Sequence, residues 1–471
     1  FDDVSPHDVR ISLGRFQETT PGQVRDAVAA AAEAFPTWAR QPWRERVAAV
    51  RRMADAIRAH RCELAALMGF EAGKNRLECL GDVEETAELI AYYCDELERH
   101  DGFVTTMGTL GPNEENRSVL RPYGAWAVIS PFNFPLALAG GPTGAALVAG
   151  NTVVLKPASD TPWLGLALHD MAAEAGLPPG VLNVVTGQGA TVGRTLVDSN
   201  GIAGVVFTGS HDVGMSLIRD NASRLAPRPL IAEMGGKNPA LVLASADLEK
   251  AADGVLRSAF GAQGQKCSAC SRVYVAHEVR ERFVELLAER TAALVTGNPL
   301  DRGVWHGPLI NARAVGRFEG AVAEARRDGG RTVVGGRRLT EGPYAHGYFV
   351  EPTVIEGLPA SHRLLVDELF VPITAIVGIA SLDEGLSLAN DTVYGLTAGI
   401  FTENEAEVAE FFERAEAGVL YANRRANATA GAWPGVNPFG GWKASGSSGR
   451  GSGGPYYLQQ FLREQSRVLV R

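Results

Sequence analysis

The sequence has little cysteine. Five residues in 471 (Cys62, Cys79, Cys94, Cys267 and Cys270) form an odd set at scattered spacing, which does not build a disulfide framework. Cys267 and Cys270 make a C-x-x-C with no second pair and no histidine at finger spacing, so no metal site is expected. No two of the nine histidines stand four apart. Positive charge is also short: 45 Lys and Arg against 54 Asp and Glu give a net charge of −9, which argues against nucleic acid as a partner. No run reaches about 18 uninterrupted apolar residues, so no spanning helix is expected. The first residues, Phe1-Asp-Asp, are acidic and carry no signal-like apolar core. A cytoplasmic enzyme with a small-molecule substrate and no membrane partner is the expectation. There are no internal repeats and no low-complexity linker. What remains is ordinary globular composition, 45% hydrophobic and 21% charged, at a length suited to two or three domains.

The periodicity gives the class. Residues 24–35 and 45–68 read as helices; in the second, Val47, Val50, Ala54, Ile57 and Leu64 recur at helical spacing. A third helix, 82–97, has an acidic outer face. Residues 102–121 are polar, β-branched and Gly-bearing, and read as a protruding hairpin. From 125 the pattern alternates. Short apolar runs at 125–130, 152–155, 182–185 and 204–207 are of buried-strand type, with helix-like stretches at 136–148, 163–175 and 191–197. This predicts a parallel sheet covered by helices, with ligands at the carboxyl ends of its strands. A second series follows, with strands at 240–243, 273–275 and 375–379 and helices at 248–260, 279–294, 382–390 and 405–415. Residues 434–455 hold eight glycines and read as a loop. The tail ends in Arg467-Val-Leu-Val, a candidate closing strand.

Polar residues punctuate the strand ends. Cys267, in Gly-Gln-Lys-Cys-Ser, lies between a helix and a strand among small residues, with Lys266 as a cation that would favour its thiolate; it is a nucleophile or a core thiol. Asn133, between two prolines, is an oxyanion donor or a turn former. Lys156 follows the second strand and suits ribose or phosphate, or is simply exposed. Gly187-Gln-Gly189-Ala-Thr-Val-Gly193 is one residue longer than the usual dinucleotide fingerprint. Ser210 is placed as an N-cap whose helix could meet a pyrophosphate. Glu233, in an apolar run before Gly-Gly, is a general base with a raised pKa or a structural carboxylate. Glu368 belongs to an acidic pair ahead of Phe370 and Pro372, and is a ribose ligand or a solvated charge.

In order and spacing these segments resemble the NAD(P)-dependent aldehyde dehydrogenase superfamily, from about Pro21 to Arg467. P-x-N-F-P, K-P-A-S, F-T-G-S, E-M-G-G-K, G-Q-x-C, E-L-F-x-P and P-F-G-G each occur in the expected sequence. The resemblance implies that Cys267 attacks an aldehyde, Asn133 holds the oxyanion and Glu233 activates the hydrolytic water. It implies cofactor contacts from Lys156, Ser159, Ser210, Gly189, Gly193, Glu368 and Phe370. Within the superfamily, Gln265-Lys-Cys-Ser-Ala-Cys-Ser-Arg272 and Gly453-Gly-Pro-Tyr-Tyr-Leu458 are similar to the 1-pyrroline-5-carboxylate (L-glutamate γ-semialdehyde) dehydrogenases. There Ser268, Gly431, Ala432 and Phe439 would bind substrate, the first three as donors to an α-carboxylate.

Two features depart from that group. The segment 423–431 is about three residues longer and adds Arg424 and Arg425, and Val371 stands where Gly is usual, beside the nicotinamide. Ser159 stands where many NAD-specific relatives have Glu, so NAD is the expected cofactor with NADP tolerated. The implied fold is α/β: a Rossmann-type cofactor domain (1–101 and 123–232), an α/β catalytic domain (233–423), an anchor loop (424–446) and a β oligomerisation arm (102–122 and 447–471). A homodimer or an assembly of dimers follows from the arm. Other semialdehydes remain open as substrates, and a nucleotide-independent cysteine hydrolase is the remote alternative. Oxidation joining Cys267 to Cys270 is a further possibility.

Overall fold

A computed structural model describes residues 1–425 and 433–471. The chain opens with a hairpin of β1 (Asp2–Ser5) and β2 (Asp8–Arg15), followed by helices α1 (Pro21–Arg40), α2 (Trp43–Ala59), α3 (Arg61–Glu71) and α4 (Arg76–Arg99). The single helix read over 45–68 is two helices, broken at His60. Neither Gly nor Pro marks the break, and the apolar spacing runs through it because both helices bury the same face. The acidic face of α4 is not all outward. Asp82 and Glu96 are among its buried residues.

The alternating region forms a five-stranded parallel sheet in the order β7-β6-β5-β8-β9. Its strands are β5 (Ala125–Ile129), β6 (Thr152–Lys156), β7 (Leu182–Val184), β8 (Ile202–Thr208) and β9 (Leu230–Glu233). Helices α5 (Ala137–Val148), α6 (Pro162–Glu174), α7 (Arg194–Asp198) and α8 (His211–Ala222) cover it. The two faces alternate residue by residue. Trp126, Val128, Val153 and Val206 join one buried cluster with α2, α4 and α5, while Ala127, Val154, Val205 and Phe207 join another with α1 and α7. Strands buried on both faces need no polar alternation, which is why they read as continuous apolar runs.

The second sheet has seven strands, β12-β13-β14-β11-β10-β16-β17, parallel except at β12. They are β10 (Asn238–Val242), β11 (Cys270–Ala276), β12 (Arg331–Val334), β13 (Thr353–Glu356), β14 (Ile373–Ile379), β16 (Thr397–Phe401) and β17 (Val419–Ala422). Its helices are α9 (Leu248–Phe260), α10 (Arg280–Ala292), α11 (Ala312–Arg327), α12 (Arg363–Val366), α13 (Leu382–Asn390) and α14 (Glu405–Arg414). The reading from sequence omitted α11 and strands β12, β13, β16 and β17. A small ladder pairs β15 (Tyr394–Gly395) with β18 (Trp442–Lys443).

Residues 102–121 contribute β3 (Val104–Thr106) and β4 (Glu114–Pro122). The tail strand β19 (Leu462–Val470) is longer than the four residues read from sequence and pairs antiparallel with the whole of β4. The resulting sheet, β19-β4-β3, leaves Val104, Met107, Leu110, Val468 and Val470 exposed.

Candidate active site

Most of the described candidate site residues come from loops at the carboxyl edge of the first sheet or just before strands of the second, while Phe439 comes from the glycine-rich segment after β17. After β5 the chain turns through Pro131-Phe-Asn133-Phe-Pro135 into α5. The Asn133 carbonyl accepts from Lys74 Nζ at 3.1 Å, and Lys74 Nζ also donates to Asp82 at 2.8 Å. Asp82 in turn accepts from the Ala137 N–H at 2.8 Å. Lys74 sits 4.0 Å over the Phe134 ring. A buried ion pair therefore clamps the turn at its carbonyl and at the first N–H of α5. Asn133 is 5% exposed, and among the described residues none accepts a hydrogen bond from its side-chain amide.

Cys267 follows α9 through a turn in which Ala262, Gln263 and Gly264 are all left-handed (φ 47°, 56° and 66°). Two of the three are not glycine, a strained run that holds the next loop in place. At Gly264 a side chain has no room, since a Cβ would fall 2.6 Å from the Val371 carbonyl. The Cys267 carbonyl is fixed by Asn238 Nδ2 at 2.7 Å.

Asn133 and Cys267 share one cavity of about 360 Å³ with Ser210, Glu368 and Phe370, and Thr208, Met234, Gly235 and Arg317 are among its other lining residues. Phe132 and Phe370 meet edge to face at 5.9 Å. Glu368 accepts from the Gly236 N–H at 3.0 Å and lies so close over Gly235 that a Cβ there would strike its carboxylate. Burial raises Glu368 to about 7.

Glu233 ends β9 beside this wall without lining it. Its carboxylate accepts from the Gly441 N–H at 3.3 Å, and burial raises it to about 8, the range of a general base at neutral pH. The Cys267 thiol is pushed up to about 12 by burial, then by Glu368 and Glu233; Lys266 and the Ser268 N–H only partly oppose this. Lys266 does favour the thiolate, as expected, but it does not prevail. Two carboxylates and desolvation outweigh one cation that is itself desolvated.

The remaining candidates are spread around the edge. Lys156 is 3% exposed rather than solvated, and burial lowers it to about 8. Its Nζ donates to the Pro157 carbonyl at 2.9 Å. The Ser159 hydroxyl donates to the Gly187 carbonyl at 2.9 Å. Gly189 opens a π-helical turn that ends at Gly193. Ser210 is the N-cap of α8, and its side chain makes no capping bond. Ser268 is buried directly after Cys267, and Phe439 packs against the first core. Gly431 and Ala432 lie outside the described residues. Val371 is 4% exposed within the cluster around α11 and does not line the cavity. Arg425 pairs with Asp253 on α9 at 2.5 Å, away from the cavity. Cys270 is buried in the core of the second sheet. Sequence reasoning missed Lys74, Asp82 and Arg317. Only Arg317 had a local signal, through the apolar spacing of Val315, Phe318 and Val322 in α11.

These residues suit a nicotinamide dinucleotide. A buried lysine with one carbonyl partner ends β6, and a twelve-residue helix without a side-chain cap opens after β8, its first N–H groups matching a pyrophosphate. A cysteine and an asparagine amide on one cavity wall, with a carboxylate raised to about 8 beside it, are groups that can supply a nucleophile, an oxyanion donor and a base.

The aldehyde dehydrogenase family profile matches residues 1–466. The chain is 37% identical over 461 residues to the 1-pyrroline-5-carboxylate dehydrogenase of Geobacillus sp. (strain WCH70), covering 97% of this chain and 87% of that protein. It is 36% identical over 453 residues to the α-ketoglutaric semialdehyde dehydrogenase of Bacillus subtilis (strain 168), with coverage of 95% and 90%. A solved 1-pyrroline-5-carboxylate dehydrogenase from Thermus with bound NAD superposes with a TM-score of 0.94 at 32% identity, over 100% of this chain and 90% of that one. The chain belongs to the aldehyde dehydrogenase family. Its fold is that of the family, and its chemistry is the oxidation of aldehydes.

Proposed function

We propose that the enzyme oxidises L-glutamate γ-semialdehyde to L-glutamate with NAD, NADP being tolerated. The observation that carries this is the meeting of Cys267 and Asn133 on the wall of one cavity, with Glu233 close enough to raise the thiol. Cys267 adds to the aldehyde carbon, and Glu233 takes the thiol proton. The Asn133 amide and the Cys267 N–H hold the resulting oxyanion. A bound nicotinamide supplies the hydride acceptor that turns the adduct into a thioester. Glu233, having released its first proton to solvent, takes one from the water that hydrolyses this thioester. Lys156 and Glu368 hold the two riboses, Ser210 and the α8 N-terminus the pyrophosphate, and Phe370 the nicotinamide side; Ser159, Gly189 and Gly193 shape the adenosine end.

Ser268, Gly431, Ala432 and Phe439 form the substrate end in this reading. The relatives named above support it, and the α-ketoglutaric semialdehyde dehydrogenase supports a second reading in which that semialdehyde is preferred. The first sheet serves as the cofactor domain and the second as the catalytic domain. The β19-β4-β3 sheet, with its exposed apolar edge, serves as a dimerisation arm in the cytoplasm.

The test is NAD reduction against glutamate γ-semialdehyde, α-ketoglutaric semialdehyde, succinate semialdehyde, hexanal and benzaldehyde. Glutamate γ-semialdehyde should lead in kcat/KM by about tenfold, roughly 1.4 kcal/mol at the transition state. A lead by any other aldehyde replaces the substrate and leaves the class standing.

A further inference from the structure

Ser159 carries no charge to oppose a 2′-phosphate, yet a carboxylate reaches the same turn from elsewhere. The segment 17–19 runs past the end of β7 and is stitched to it. Thr19 N–H donates to the Thr186 carbonyl at 2.9 Å, Thr186 N–H to Thr19 Oγ1 at 3.0 Å, and Thr186 Oγ1 to the Gln17 carbonyl at 2.6 Å. This places Glu18 over the glycine turn. Its Oε1 accepts from the Gln188 N–H at 2.9 Å and from Thr191 Oγ1 at 3.4 Å. The two faces of the turn are thus occupied, by Glu18 on one side and by the Ser159 hydroxyl on the Gly187 carbonyl at 2.9 Å on the other. Gly187 has to be glycine here, because its φ is 132° and a Cβ would lie 2.6 Å from Glu18 Oε1. Lys156 is packed against Gly193 of the same turn, and the Glu18 charge acts on it.

We propose that Glu18, held against the Gly187-Gln188 turn beside Lys156 and Ser159, is the residue that turns cofactor choice towards NAD. This rests on the reading of Lys156 as a ribose ligand. Glu18 would act twice. Its charge opposes a 2′-phosphate dianion that approaches Lys156. Its carboxylate also consumes the Gln188 N–H, a backbone donor that a glycine turn would otherwise offer to phosphate. The ribose hydroxyls of NAD carry no charge and meet only the second effect.

Glu18→Gln tests this with little risk to the fold, since the amide oxygen can keep both hydrogen bonds and only the charge is removed. Dissociation constants for NAD and NADP are measured by calorimetry on the aldehyde-free protein, together with kcat/KM for both. In Glu18→Gln the NADP:NAD ratio of binding constants should rise about tenfold, with the kcat/KM ratio following. Ser159→Glu should lower the same ratio. A ratio within twofold of the parent in Glu18→Gln, with both nucleotides still bound, overturns the role of Glu18 and leaves the cofactor reading intact. If the parent protein binds neither nucleotide, the cofactor reading falls and the inference with it.

Discussion

Replacing Lys74 by Met separates the positioning of Asn133, the proposed oxyanion donor, from the stability of the fold. Lys74 Nζ is the shared donor to Asp82 and to the Asn133 carbonyl, and the side chains of the pair are 3% and 0% exposed. Removing one partner leaves a buried carboxylate whose remaining bond is to the Ala137 N–H, a loss of about 3–5 kcal/mol against a domain stability of about 5–15 kcal/mol. The melting temperature should fall by roughly 5–10 °C. The Asn133 carbonyl loses its tether at the same time, and the turn that aims its amide gains freedom. An oxyanion donor is worth ~10²–10³-fold in kcat; misplacing one should lower kcat about tenfold, with the KM for NAD changed less than about twofold. Adding Asp82→Asn removes the stranded charge while keeping an acceptor for Ala137, so most of the lost stability should return. The Asn133 carbonyl stays untethered, so kcat should remain low per titrated Cys267. If kcat recovers along with the melting temperature in the double variant, Lys74 serves stability alone and the positioning argument is wrong.

Two further outcomes follow from buried groups elsewhere. Glu233 must be ionised to act as a base and is raised to about 8 by burial, so kcat/KM should climb with pH up to a limb near 8; Glu233→Gln should lose this limb in a stopped-flow pH series. His306 is fully buried and burial lowers it to about 3. The unfolded chain therefore binds a proton that the native state refuses, and stability should fall as pH drops from about 6.5 towards 3. His306→Gln should flatten the acid side of a melting-temperature profile.

The sheet edges were legible because the physics there is local. A strand buried on both faces must be apolar, so the first polar residue after each run marks a carboxyl end. Lys156 and Glu233 are those first polar residues, and Asn133 and Ser210 follow within three residues of theirs, Ser130 and Thr208. Other elements fail that test for stated reasons. Strand β16, Thr397-Ala-Gly-Ile-Phe401, carries small residues where packing is tight; a Cβ on Gly399 would strike the Tyr421 ring. The break at His60 has no breaker because both flanking helices serve one core. Helix α11 was readable, since Ala314, Val315, Phe318, Ala321 and Val322 are its buried stripe.

The electrostatics were not legible, because they depend on contacts distant in sequence. Lys266 is adjacent to the nucleophile in the chain, and adjacency suggests an activated thiol. In the folded protein Glu233 and Glu368, 34 residues before and 101 after Cys267, outweigh it. The acidic stripe of α4 looks solvated, yet Asp82 faces Lys74 in the core and holds the start of α5. The same holds at the Gly187-Gln188 turn, where Ser159 stands in the local motif but a carboxylate arrives from Glu18, 170 residues before Gln188. A motif names the groups that meet the ligand. The charges that set how those groups behave arrive through the fold. Burial and two carboxylates hold the Cys267 thiol towards its protonated form, so the proposed mechanism needs a base to take that proton, and Glu233 is the group it assigns to both its first proton transfer and its last.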